Sequence, residues 1–249
     1  MIQLHYYPSN ASMIPHIVLE ELGVLFELVL VDRSHDAHKS PDYLKLNPNG
    51  KIPTLVQREP GQPDLVLYES AAICLHLSDT QPRTGDPSRL ASALPSGSAA
   101  GLMPPVGTPA RAHAYKWLFW LSNTFQPDTM MYFYPERYVT SSDPKVVSSV
   151  AAQAQARIKS HLEQLDDELA RVKGRSKASD DLDDGDGWFL GNQYTVLDAY
   201  VFTLCRWTRG FQSGAARTCE HLGPYLQRML ARPAVQRVIA TEKLQPPLV

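Results

Sequence analysis

The sequence is short of what several function classes require. It holds three cysteines, Cys74, Cys205 and Cys219, an odd number without metal or redox spacing, and reduced thiols in a cytoplasmic protein are the simplest account. No apolar run approaches the roughly 20 residues that span a bilayer, so no membrane segment is expected. Neither charge sign is in excess: 24 Lys and Arg face 26 Asp and Glu, a net charge of -2. That balance favours neither nucleic acid nor an anionic membrane surface as a partner. The first residues, Met1 to His5, lack the basic-then-apolar order of a signal peptide and read as a strand. The histidines form no ligand cluster. His35 and His38, with Asp32 and Asp36, are the one dense group, and loop polarity explains them better than a metal. The acidic half of Lys173 to Gly187, KGRSKASDDLDDGDG, fails the calcium-loop spacing because Leu182 falls on a ligand position, and the stretch reads as a solvated loop.

What is present is enough for two modest domains: 249 residues, 43% of them hydrophobic. A strand over 2–7 precedes a helix that Ser12 can cap, with Pro15 in its first turn and Gly23 just past its end. Val24 to Val31 is nearly all apolar, as expected of a strand buried on both faces. Strand, helix and strand make a right-handed βαβ unit, and Ser40-Pro41 opens a short helix ending at Leu46. The chain is organised around the next stretch, Asn47 to Ile73. A turn at Asn47–Gly50 leads to a strand whose entry carries Pro53, which cannot donate to a ladder and so suits the mouth of an edge strand. A cis Ile52-Pro53 bond would leave the Ile52 N–H and C=O to pair with an extended peptide. A second strand, Leu65 to Tyr68, meets a helix starting at Glu69-Ser70-Ala71, whose first N–H groups make a carboxylate site. A backbone clamp beside an anion pocket suits a short acidic peptide.

Beyond a Pro-, Gly- and Ser-rich linker, part of which is expected to be mobile, the pattern is helical from Ala110 to the end. A long stripe, Val150, Ala154, Ile158, Leu162, Leu165 and Leu169, marks one helix over 144–172. Thr195 and Asp198 have capping-box spacing, each worth about 1 kcal/mol, at the head of a helix, Val196 to Thr208, with little polar face. Two more helices, about 219–231 and 233–240, close the chain.

The order N-P-x-G-K-I-P-x-L at Asn47–Leu55, followed by E-S-A-A-I at Glu69–Ile73, resembles the glutathione-binding half of the cytosolic glutathione transferases. Tyr6 to Gly23, YYPSNASMIPHIVLEELG, resembles the bacterial beta-class members. The likeness continues at Gly191–Trp207 and in HLGPYLQRMLARPAVQRVIATEKL near the C-terminus. It implies a thioredoxin-like α/β glutathione-binding domain over 1–80, a linker over 81–109 and an all-helical substrate-binding domain over 110–249. It also implies a homodimer, with glutathione as co-substrate, no metal, and a hydrophobic electrophile as the second substrate. The alternatives left open are a glutathione-dependent reductase or lyase of the same fold, and a non-catalytic binding protein.

An enzyme that uses glutathione must hold its thiol as thiolate. Lowering that pKa by about two units takes roughly 2.7 kcal/mol, within reach of one or two good donors at a helix N-terminus. The loop YPSNAS, Tyr7 to Ser12, offers such donors. The beta-class loop reads tyrosine, proline, glycine, serine, cysteine, serine, and its cysteine can form a mixed disulfide with glutathione. Here Ala11 takes the cysteine's place and removes that chemistry. Asn10 then stands where serine-type members put their hydroxyl, with Ser9 and Ser12 as the next candidates. By the same resemblance Glu69 and Ser70 meet the γ-glutamyl end; the Ile52-Pro53 backbone is the candidate to pair with the cysteinyl unit, and Lys39 and Lys51 are candidates by charge for the glycyl carboxylate. Tyr7, His113, Tyr115 and Trp207 are candidates for the substrate pocket.

Overall fold

The computed structural model describes residues 1–81, 101–177 and 187–249. The expectations placed on 82–100 and on 178–186 lie outside the described residues. Two compact units emerge: Met1–Arg111 with Ala231–Gln245, and Ala112–Leu230 with Pro246–Val249.

The first unit is built on a four-stranded sheet of order β2-β1-β3-β4. The strands are β1 (Ile2–Tyr6), β2 (Phe26–Leu30), β3 (Thr54–Gln57) and β4 (Leu65–Tyr68). β2 runs parallel to β1, as the right-handed crossover through α1 (Met13–Leu22) requires, and the other pairs are antiparallel. Gly23 ends α1 in the left-handed region at φ 69, its N–H bonded to the Leu19 carbonyl. Ser40 caps α2 (Pro41–Leu46) by accepting from the Tyr43 N–H. The turn at Asn47 closes through Asn49 N–H to Asn47 Oδ1 at 3.1 Å and Gly50 N–H to the Asn47 carbonyl at 2.9 Å. The Ile52-Pro53 bond is cis.

Three local expectations are corrected. β2 is an edge strand, paired only with β1, and its apolar run is not buried on both faces: Leu30 is 56% exposed, and Leu25 before it 95%. β3 is interior, flanked by β1 and β4, and Pro53 is tolerated because it precedes the first paired residue, Thr54. Ser12 does not cap α1 with its side chain, because its hydroxyl is turned back onto the backbone of Tyr7.

After β4, α3 (Ser70–Thr80) packs on the sheet and on α1. The chain at 101–103 returns to the end of this helix. Leu102 and Met103 are buried, and Gly101 sits so close that an added Cβ would lie 1.9 Å from the Ser78 carbonyl oxygen. Arg111, itself buried, grips the Asp79 carboxylate with Nη1 at 2.9 Å and Nη2 at 2.7 Å, and donates to the Pro104 carbonyl. Gly101→Ala is therefore expected to lower stability by about 2 kcal/mol, since the obstructing atom is helix backbone. Gly174→Ala, where no atom lies within 4 Å, should be neutral or stabilising by about 0.5 kcal/mol. Urea denaturation of the two variants checks this, and equal midpoints would refute the packing claim for Gly101.

In the second unit a continuous helical run begins with α4 (Pro109–Trp120), widens through a π-turn at Leu121–Phe125 and continues as α5 (Gln126–Phe133). α6 spans Pro144–Lys177, so the first residues read as loop, 173–177, are helical. Its stripe from Ala154 to Leu169 is buried. α7 (Val196–Trp207) is buried on every side and forms the centre of this unit. α8 (Leu222–Ala231) starts on the Asp166 carboxylate, which accepts from the His221 and Leu222 N–H groups at 2.8 and 2.7 Å. α9 (Pro233–Thr241) belongs to the first unit, where it packs on α1, so dividing the chain once at the linker misplaces its last helix.

Candidate functional site

Three segments leave the same end of the sheet. His5 pairs with Thr54, and Thr54 with Tyr68. The loop after β1 (Tyr7–Ser12), the entry to β3 (Ile52-Pro53) and the start of α3 (Glu69-Ser70) therefore emerge side by side. β2, in parallel register with Tyr6 opposite Leu30, delivers residues 31–39 to the same end.

Each segment is fixed by bonds of its own. The buried Tyr43 hydroxyl donates to the Lys51 carbonyl at 2.7 Å and lies 3.0 Å from Thr54 Oγ1, while Asn47 Nδ2 donates to the same carbonyl at 2.8 Å. Burial raises the Tyr43 phenol above its ordinary value, which keeps it a donor. Ile52 packs with Val31 and Tyr43, and Tyr7 lies against this small core with the Arg33 guanidinium 5.8 Å above its ring. At α3, Glu69 holds φ 73, a conformation costly for a residue with a Cβ, and its side chain does not cap the helix. Ser70, the first helical residue, is buried.

The Tyr7–Ser12 loop is wound tightly around its own backbone. Ser12, fully buried, donates its hydroxyl to the Tyr7 carbonyl at 3.0 Å and accepts from the Tyr7 N–H at 3.2 Å. Asn10 Oδ1 accepts from the Ala11 N–H at 2.6 Å, which commits one end of the amide to the loop and leaves the NH2 end as the donor. Ser9 has φ 61, and its N–H donates to Glu242 Oε2 at 2.8 Å. The other oxygen of that carboxylate meets His16 Nδ1 at 2.9 Å, and both side chains are fully buried. Sequence reasoning missed this pair. His16 sits inside an apolar helix and Glu242 lies far along the chain in the closing TEKL stretch, and no local pattern joins them.

Lys39 is exposed and paired with Asp36 at 3.0 Å, and Lys51 is exposed. His113 and Tyr115, exposed and half-buried on α4, belong to the helical unit with Trp207, which ends α7. The buried Trp207 Nε1 has no hydrogen-bond partner among the described residues. Burial pushes the thiols of Cys74, Cys205 and Cys219 up, so none is poised as a thiolate. No group of three or more His, Cys, Asp or Glu side chains among the described residues could hold a metal ion.

Two families, the N-terminal and C-terminal domains of glutathione S-transferase, match residues 1–79 and 148–239. A glutathione transferase of known structure from Methylococcus capsulatus is 31% identical, with 98% of this chain and all of that chain covered, at a TM-score of 0.66. The chain belongs to the glutathione transferase family. Glutathione S-transferase GstA of Escherichia coli O157:H7 is 27% identical over 98% of this chain and 100% of its own length. The fold is also that of a glutathione transferase homologue from Sulfitobacter, solved with bound glutathione, at a TM-score of 0.75 and 21% identity over 98% of this chain and 99% of that one. The match to the N-terminal family, residues 1–79, covers all three of the clustered segments.

Proposed function

We propose that this chain is a glutathione transferase that holds its co-substrate at the end of the sheet where the three segments meet, and presents the thiolate to a hydrophobic electrophile. The observation that carries this reading is the register His5–Thr54–Tyr68, which gathers the motifs at one end of the sheet. The N–H groups of Ser70 and Ala71 at the head of α3 receive the γ-glutamyl carboxylate, beside the strained Glu69. The Ile52 backbone pairs with the cysteinyl unit, and Lys51 or Lys39 faces the glycyl carboxylate. The NH2 of Asn10 and the N-terminus of α1 face the sulfur. Tyr7 is packed against Ile52 and serves to shape this floor, while His113, Tyr115 and Trp207 are the candidates for contact with the electrophile.

Calorimetric titration with glutathione, followed by assay with a dinitro-activated aryl chloride, tests the reading. Binding with conjugation supports it. Binding with turnover of a glutathione mixed disulfide alone would replace transfer by reduction, and binding without turnover of either would make the chain a binding protein. No detectable binding would overturn the site itself.

The same reading makes the chain a cytoplasmic homodimer. No helix among the described residues is long and apolar enough to cross a membrane. Sedimentation at micromolar concentration should give a species of twice 27.8 kDa, and a single species at 27.8 kDa would refute the dimer.

A further inference from the structure

A buried carboxylate is costly unless its oxygens are engaged, and what engages Glu242 is informative. One oxygen holds the N–H of Ser9, the other holds His16, and neither side chain reaches solvent. Ser9 is the residue whose backbone least favours its conformation in this loop: at φ 61 it lies in the left-handed region, which costs a non-glycine residue about 1 kcal/mol. The bond to Glu242 stabilises that conformation from below. The next residue, Asn10, takes its direction from it, through its N–H to the Tyr7 carbonyl at 3.3 Å and its carbonyl to the Met13 N–H at 3.0 Å.

The carboxylate is itself held in place. Glu242 ends α9, its N–H bonded to the Val238 carbonyl, and α9 is tied to α1 by Arg232 on Glu21 and by Arg237 on Glu20. The His16 ring is set edge-on against Tyr6 at 6.2 Å and Phe26 at 5.7 Å. The Tyr6 phenol is held above its ordinary value first by burial and then by the Glu242 charge.

We propose that Glu242, oriented by His16, is a positioning residue for thiol activation: it clamps Ser9 in the left-handed region so that Asn10 and the N-terminus of α1 face the glutathione sulfur. The inference rests on the proposed function, in which this loop holds the thiol. It assigns to the end of the chain a part in chemistry performed near its beginning.

The test compares Glu242→Ala, Glu242→Asp and Glu242→Gln in the full chain. The readouts are the thiolate absorbance of bound glutathione against pH, steady-state kinetics with the aryl chloride, and amide exchange over residues 9–12. Glutamine keeps an oxygen for the Ser9 N–H and should leave the bound thiol pKa within a few tenths of wild type. Aspartate keeps the charge but is one methylene too short, and should raise the thiol pKa by about half a unit. Alanine should raise it by about one unit, lower kcat about tenfold at pH well below that pKa, where the thiolate fraction falls in proportion, leave the glutathione KM within about twofold, and speed exchange at Ser9–Ser12. If Glu242→Ala does not fold, the aspartate and glutamine variants carry the comparison. A thiol pKa unchanged from a depressed wild-type value in the folded alanine or aspartate variant would reduce Glu242 to a structural tie and overturn the proposal. A wild-type protein whose bound thiol titrates at the free value would instead overturn the reading of the loop as thiol holder, and this inference with it.

Discussion

Asp198→Ala is expected to cost about 4 kcal/mol of stability, several times what a helix cap ordinarily contributes. The carboxylate is fully buried and accepts from the Phe189 N–H at 2.8 Å, the Thr195 N–H at 2.7 Å, the Thr195 hydroxyl at 3.1 Å and the Tyr225 hydroxyl at 2.8 Å. It is at once the answering half of the capping box at the head of α7 and the point to which the segment before α7 and helix α8 are fastened. Alanine strands several buried donors, each left unmade at about 1–3 kcal/mol before relaxation. Thr195→Ala removes one hydroxyl and should cost about 1 kcal/mol. Burial pushes the Asp198 carboxyl above its ordinary value even though these donors pull it down. A carboxyl raised on folding stabilises most below its unfolded pKa and loses that contribution as pH rises through the folded one. The gap between wild type and Asp198→Ala should accordingly narrow as pH rises from below about 4. Urea denaturation at several pH values checks both points. Equal costs for Asp198→Ala and Thr195→Ala would show that the Asp198 carboxylate acts only as a cap.

The contrast between these two residues shows what the sequence makes legible. The spacing of Thr195 and Asp198 announces a capping box, because that motif is local. The bonds to Phe189 and Tyr225 are tertiary and have no local signature, so the sequence expectation of about 1 kcal/mol for each residue understates Asp198. The same division runs through the site. The turn at Asn47, the strand pair around Pro53 and the head of α3 could all be read from turn and breaker residues. Their meeting at one end of the sheet comes from the antiparallel pairing of β1 with β3 and of β3 with β4, which is tertiary and has no local signature. The rank of each strand within the sheet was not legible. Apolar composition suggested that β2 was buried on both faces and proline suggested that β3 was at an edge, whereas β2 is the edge strand with Leu30 exposed and β3 is interior. Composition reports how apolar a segment is, and an edge strand packed against helices can be as apolar as a central one. Ser12 makes the same point for side chains: its position suits a cap, but the hydroxyl found the closer partner in Tyr7.

Asn10→Ala should raise the pKa of bound glutathione by about one unit and slow conjugation about tenfold, the worth of about 1.4 kcal/mol. The amide has two ends with separate duties. Its oxygen accepts from the Ala11 N–H at 2.6 Å and shapes the loop, and its NH2 is the group offered to the sulfur. Alanine loses both, so that variant alone cannot separate donation from loop geometry. Asn10→Asp separates them: the acceptor for Ala11 remains, the donor is gone, and a negative charge stands where the thiolate should form. If the NH2 stabilises the sulfur, aspartate should raise the thiol pKa at least as far as alanine does, while amide exchange over residues 9–12 stays at the wild-type rate. Ser12→Ala should act through the loop instead, because its hydroxyl is buried on Tyr7, and should speed exchange with a smaller change in pKa. Ser9→Ala should do least, because it keeps the backbone N–H that meets Glu242. The absence of a thiol at Ala11 predicts further that oxidised glutathione leaves no adduct on this loop, which mass spectrometry of the intact chain would reveal. A wild-type thiol pKa in Asn10→Asp would pass the assignment from the side chain to the N–H groups at the head of α1, where the positive end of the helix dipole alone would have to hold the charge.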